Sequence, residues 1–142
     1  MIRQVSLEES KEKLLEYNLR ISHQRLVIYQ ELYKSMEHPT AEKIYSGLKK
    51  DHPSISLATV YKTLDAFEKS GLIKKLKSID DSLHYDADLH DHNHLVCMKT
   101  KQILDYEDEE LQSLIQNYFN SKNIDNFDVK EVRLKIFGEI KT

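Results

Sequence analysis

The sequence predicts an α+β chain: an N-terminal winged helix-turn-helix followed by a small α/β dimerisation domain. Three observations predict it. Four capped, helix-periodic segments fill the first half, and two short apolar segments around a polar turn follow them. A run dense in His and Asp then marks the change to a second half in which strand-like segments flank one helix.

Ser6 and Glu9 form a capping-box pattern ahead of Leu7, Leu14 and Leu15, which predicts the first helix. Ser22 precedes a second, with Leu26, Tyr29, Leu32, Tyr33 and Met36 at helical spacing. Pro39 interrupts, and Thr40 caps a third helix with Ala41, Ile44, Tyr45 and Leu48 on one face. After Pro53, Ser56 caps a fourth, with Leu57, Val60, Leu64 and Phe67 inward and Gly71 as its stop. Leu72–Leu76 and Leu83–Tyr85, around Asp80-Asp81-Ser82, read as the two strands of a wing. Asp86 to Asp91 is acidic and aperiodic, as a hinge would be.

Beyond it, Leu95-Val96-Cys97 and Ile103–Tyr106 read as strands joined by a Lys-rich turn. Asp108 caps a helix carrying Leu111, Leu114, Ile115, Tyr118 and Phe119. Phe127 and Val129 alternate on one parity and Val132, Leu134 and Ile136 on the other, which predicts a long last strand with a bulge or kink. So small a sheet with one helix cannot bury its own apolar face, so a homodimer is expected. The expected domains are 1–85, the winged helix; 86–91, the hinge; and 92–142, for dimerisation and metal sensing.

Charge divides the chain at about the same place. Residues 1–77 hold 14 Lys and Arg against 10 Asp and Glu, while residues 78–142 hold seven against 14. A basic half suits phosphate, which an overall charge of −3 conceals. No apolar run reaches membrane-spanning length and no signal-peptide core is present, so a cytoplasmic protein with no membrane partner is expected. The single cysteine, Cys97, excludes an internal disulfide and a four-cysteine zinc site within one chain. It is expected to be a buried structural residue.

On the fourth helix the polar face offers Ser56, Thr59, Lys62, Thr63 and Asp65, with Tyr61 beside Lys62. Lys can donate to guanine or to phosphate, and a Tyr ring can pack on a thymine methyl group. Arg20 and Arg25 near the second helix could meet the backbone of double-stranded DNA, as could the wing residues Lys74, Lys75 and Lys77. Four of the seven histidines fall between His84 and His94. His92 and His94 share one side of an extended segment, and Asp86 and Asp105 stand beside predicted strands. Imidazoles with two carboxylates suit a divalent ion such as Fe(II), Mn(II), Zn(II), Co(II) or Ni(II). The bland alternatives are a solvated helix face and a surface His-X-His.

His38–Tyr45, Ile55–Leu64, Glu68–Ile73, Asp91–Cys97 and Ile103–Tyr106, in that order, resemble the ferric uptake regulator (Fur) family over about residues 15 to 138. The resemblance implies a palindromic, A/T-rich operator and one regulatory Fe(II) or Mn(II) per subunit, with Zn(II) as an alternative. By position the ligands would be His38, Asp86, His92, His94 and Asp105, and the DNA contacts would include Arg20, Tyr61 and Lys62. His38 follows from the resemblance alone. Asp at both carboxylate positions looks more like the peroxide-sensing branch, in which a ligand histidine is oxidised, than the iron-uptake branch, which tends to carry Glu.

Two departures stand out. Many members hold a structural zinc on two Cys-X-X-Cys pairs; here Cys97-Met98-Lys99-Thr100 replaces the first and the second is absent. Asn93, Gln112 and Val132 occupy the family's additional metal site. Iron-uptake and zinc-uptake readings remain open within the family. Two His and a carboxylate also describe a non-haem iron oxygenase, but no cosubstrate motif accompanies them and the helix-turn-helix would be left without a purpose.

Overall fold

Five side chains start the five helices of the described residues. The computed structural model describes residues 4–35, 37–88 and 93–141. Ser6, Ser22, Thr40, Ser56 and Asp108 each accept from the backbone N–H three residues on, opening α1 (Leu7–Glu16), α2 (His23–Lys34), α3 (Ala41–Leu48), α4 (Leu57–Ser70) and α5 (Glu109–Ser121). Such a cap contributes about 1 kcal/mol. The Ser6–Glu9 box is reciprocal, and Gly71 closes α4 in the left-handed region at φ 88°.

The apolar faces of α1 to α4 converge on one core. Leu14, Ile28, Tyr29, Leu32, Ile44, Val60, Leu64, Phe67 and Leu72 are all buried. The Tyr29 and Phe67 rings meet edge to face with centroids 6.0 Å apart, as their quadrupoles favour. Antiparallel β1 (Lys74–Lys77) and β2 (Leu83–Asp86) form the wing, pairing Lys74 with Asp86 and Lys77 with Leu83. The second sheet has the order β4-β3-β5, from β3 (Asn93–Cys97), β4 (Ile103–Tyr106) and β5 (Lys135–Gly138). β3 runs antiparallel to β4 and parallel to β5.

The wing is tied to this sheet. Ser78 Oγ donates to the Lys101 carbonyl at 3.1 Å, and Lys135 Nζ donates to the Lys77 carbonyl at 3.4 Å. Both bonds lie at the end of the wing hairpin where Lys77 pairs with Leu83; Asp86, paired with Lys74, ends the other side of the hairpin.

Three expectations change. Asp86, read as the first residue of the hinge, is instead the last residue of β2 and is buried. The long last strand is confined to Lys135–Gly138; residues 128–134 run outside any strand, although Leu134 still bonds β3 through its carbonyl to the His94 N–H. Period-2 alternation there reflects no continuous ladder. Thr63 is buried on α4 instead of joining the polar face. As expected of a sheet half that cannot bury its own apolar face, no α5 residue is fully buried in the single chain: Leu111, Ile115 and Phe119 are half-buried, and Leu114 and Tyr118 are exposed. Met36 lies outside the described residues, and α2 ends before it at Lys34.

Candidate metal centre

Four segments far apart in sequence supply one cluster. His38 comes from the connection between α2 and α3, Asp86 from the end of β2, His94 from β3 and Asp105 from β4. One ligand atom from each lies within 4.8 Å of the others. β3 and β4 set half of this directly, because His94 and Asp105 are register partners. His94 Nε2 is 3.5 Å from Asp105 Oδ1.

The other half depends on how His38 is held. Its Nε2 lies 3.0 Å from Asp86 Oδ2 and 2.7 Å from Asp105 Oδ1. Its Nδ1 donates to the Ile103 carbonyl at 2.8 Å. That bond leaves Nε2 as the atom aimed at the carboxylates, the usual way a backbone acceptor orients a ligand imidazole. His38 also adopts φ 52°, a left-handed conformation that costs a residue with a Cβ on the order of 1 kcal/mol. The His38 and His94 rings meet edge to face, centroids 5.4 Å apart.

Charge explains why these donors tolerate each other. Burial opposes protonation of His38, but the bond to Asp86 and the charges of Asp86 and Asp105 outweigh it and raise the imidazole above its ordinary pKa. Two buried or half-buried carboxylates facing the His38 ring make the site favour a cation. A divalent ion satisfies that preference with a fitting donor set: two imidazoles and two carboxylates, compact and largely enclosed. At bond lengths near 2.1 Å, donors around such an ion are about 3 to 4.2 Å apart, so His38 and Asp105, now in contact at 2.7 Å, would part slightly to admit it.

The sequence expectations fare as follows. His38, Asp86, His94 and Asp105 come together; His92 lies outside the described residues. Among the DNA candidates, Arg20, Lys62 and Tyr61 are exposed. Ser56 and Thr59 are committed to the start of α4, their hydroxyls 3.0 Å apart. Arg25 Nη1 donates to the Arg20 carbonyl at 2.8 Å, bracing the segment before α2. The Tyr61 hydroxyl donates to Glu42 of α3, a partner that sequence reading missed; a spacing of 19 residues leaves no local signal for it. That bond pushes the Tyr61 phenol up to about 12 and holds Glu42 below its ordinary value.

The sites that departed from the family pattern have found other partners. Asn93 is buried; its amide donates to Gln112 of α5 at 3.4 Å and accepts from the Leu134 N–H at 3.0 Å. Cys97 Sγ accepts from the Thr100 and Ile140 N–H groups at 3.3 and 3.5 Å.

A winged helix joined to a sheet through a compact His and Asp cluster defines a metal-responsive regulator that binds DNA. The chain belongs to the ferric uptake regulator family, whose profile matches residues 16–137. It is 36% identical over 135 residues to the peroxide-responsive repressor PerR of Staphylococcus aureus (strain Mu50 / ATCC 700699), covering 95% of this chain and 89% of that one. Among solved structures it resembles a zinc-bound manganese uptake regulator with TM-score 0.79 and 28% identity, over 93% of this chain and 98% of that one. The Helicobacter pylori ferric uptake regulator gives TM-score 0.78 over 99% of this chain and 95% of that one; at 24% identity the likeness is of fold. The chain is a metal-dependent transcriptional regulator and not an enzyme.

Proposed function

We propose that this regulator is a peroxide-responsive repressor that binds one Fe(II) or Mn(II) per subunit through His38, Asp86, His94 and Asp105, with His92 completing the set. The observation that carries the reading is that four side chains from the α2–α3 connection, the wing and two strands of the sheet converge within 4.8 Å. An ion held there ties the helical half to the sheet. Closing that tie fixes the angle between the two winged helices of a homodimer, and metal tightens DNA binding only as far as the closed form holds metal more tightly.

The acid pair supports the peroxide branch. Asp86 and Asp105 reach the cluster with short side chains, matching the all-aspartate pattern rather than the glutamate of iron-uptake members. Bound Fe(II) would supply one electron to cleave the O–O bond of peroxide, and the oxidising species so formed would draw its remaining electrons from an adjacent imidazole. The chain's own contribution is to hold imidazoles close to the ion, so that His92 or His94 becomes the oxidised residue and the tie is lost. The S. aureus relative named for peroxide response points the same way. Mn(II) would occupy the same donors without that chemistry.

DNA contact falls to Tyr61 and Lys62 on α4, with Ser56 and Thr59 at its start and Arg20 and Arg25 reaching the backbone. The unburied apolar residues of α5 and β5 support dimerisation through the sheet half, matching two-fold symmetric DNA. No helix of the described residues is long and apolar enough to cross a membrane, and we place the protein in the cytoplasm.

The test is anaerobic fluorescence anisotropy on an A/T-rich palindromic duplex with Mn(II), with Fe(II) and with chelator. Tight binding in both metals and weak binding in chelator is expected. Brief peroxide should release DNA from the Fe(II) form alone, with a gain of one oxygen on His92 or His94 by peptide mass spectrometry. Release without histidine oxidation would overturn the peroxide reading, and equal binding in chelator would overturn the metal role.

A further inference from the structure

His84 has no part in the cluster, yet it is a buried polar side chain on β2, two residues before Asp86. Its Nδ1 donates to the main-chain carbonyl of His38 at 2.6 Å. Its Nε2 lies 3.2 Å from Ser82 Oγ, which itself donates to Asp80 at 2.6 Å. A continuous polar chain therefore runs from the wing tip to the backbone of one candidate ligand.

That backbone needs holding. His38 sits at φ 52° immediately before Pro39, and the residue before a proline is already restricted. In such a conformation the carbonyl direction decides where the ring goes. Two bonds from β2 hold this stretch: His84 Nδ1 to the His38 carbonyl itself, and the Tyr85 N–H to the neighbouring Pro39 carbonyl at 3.0 Å. The second is a main-chain bond open to almost any sequence. The first needs a donor at one place on the residue 84 side chain.

We propose that His84 is a positioning residue for the metal centre: by bonding the His38 carbonyl it holds the backbone so that His38 Nε2 meets Asp86 and Asp105. This rests on the metal-site reading above. His84 would bind no metal and touch no DNA. It would link the wing to ligand geometry, as outer-shell partners of metal ligands commonly do.

Substitution at this position is sterically permissive, because the ring borders a cleft of about 360 Å³ lined by residues including Glu37, Lys43, Ser82 and Lys101. Asn can place its amide N–H close to where Nδ1 stands, whereas Gln carries its donor one methylene further. The experiment compares the full chain with His84→Leu, His84→Asn, His84→Gln and His38→Ala. Mn(II) affinity is read by competition with a fluorescent chelator, site geometry by the visible bands of Co(II), and folding by metal-free thermal melts.

His84→Leu should weaken Mn(II) binding about 10- to 100-fold and shift the Co(II) bands, as loss of an outer-shell partner does. His84→Asn should restore both and His84→Gln should not. If the Leu variant fails to fold, the Asn and Gln pair carries the same contrast. Wild-type affinity in His84→Leu with loss in His38→Ala would overturn the positioning role. Equal impairment in Asn and Leu would also overturn it, since bulk rather than the hydrogen bond would matter. Unchanged binding in His38→Ala would instead overturn the metal-site reading on which the proposal stands.

Discussion

His38 Nε2 lies 2.7 Å from Asp105 Oδ1, which joins the connection between α2 and α3 to the middle of β4. With Asp86 at 3.0 Å on the same nitrogen, His38 is the point where helical half, wing and sheet meet. His38→Ala removes the only one of the four described donors that the α2–α3 connection contributes. Metal should then no longer tighten DNA binding. With a coupling of roughly 1–3 kcal/mol, the variant should lose about 5- to 150-fold in affinity when metal is present and change little in chelator. Anisotropy in both conditions checks this, and metal-dependent tightening that survives in the variant would refute the tie.

The sequence was informative wherever physics is local. Caps at Ser6, Ser22, Thr40, Ser56 and Asp108 marked the helices, because a side-chain acceptor three residues before an orphan N–H is a short-range device. His94 and Asp105 were visible from their placement by strands. His38 was legible only through family likeness, since nothing around it marks a ligand 48 residues from Asp86. The bond from His84 to the His38 carbonyl was invisible for the same reason. The overlong last strand shows the converse: alternating Phe127, Val129, Val132 and Leu134 look like a ladder, but pairing depends on a neighbouring strand that β3 offers only from Lys135.

Tyr61 and Glu42 form a pair at the expected DNA face. With its pKa pushed up to about 12, the Tyr61 phenol stays neutral and donates to the carboxylate, which fixes the ring above α3. Removing either partner should loosen the ring and weaken DNA binding. Because they act together, the losses should not add: Tyr61→Phe should cost less in a Glu42→Ala background, by about 0.5–1.5 kcal/mol of coupling. A double-mutant cycle measured by anisotropy decides this, and strictly additive losses would show that Glu42 does not hold the ring for DNA.

Cys97 should make stability pH-dependent. Bonds from the Thr100 side chain and from the Thr100 and Ile140 N–H groups favour its thiolate, lowering the thiol from 9.0 to about 7. A depressed folded pKa contributes stability that is full above the ordinary thiol pKa and is lost as pH falls through about 7. Serine cannot titrate there. The melting-temperature gap between wild type and Cys97→Ser should therefore widen from about pH 6 to about pH 9. A constant gap would show that the thiol stays protonated across that range.

Leu114 and Tyr118 on α5 are 62% and 56% exposed in the single chain, and Phe137 on β5 is 53% exposed. An amphipathic helix with no buried residue gains little from its own chain, so its apolar face is the surface a second copy would cover. Burying one such Leu fully is worth about 1.5–3 kcal/mol, enough for a few contacts to decide between monomer and dimer. With Thr100 in place of the second cysteine of the Cys97-Met98-Lys99-Thr100 pair, packing at this face is expected to carry the assembly. Sedimentation velocity should therefore report twice the 16.8 kDa chain mass for wild type and a single-chain mass for a Leu114→Glu, Phe137→Glu variant. The winged helix keeps its own core, so far-ultraviolet circular dichroism should retain most of its helical signal. Operator binding should fall sharply even with saturating Mn(II), because one winged helix reads only one half-site. A variant that stays dimeric would move the interface elsewhere, and a monomer that still binds the full palindrome tightly would separate DNA recognition from two-fold symmetry.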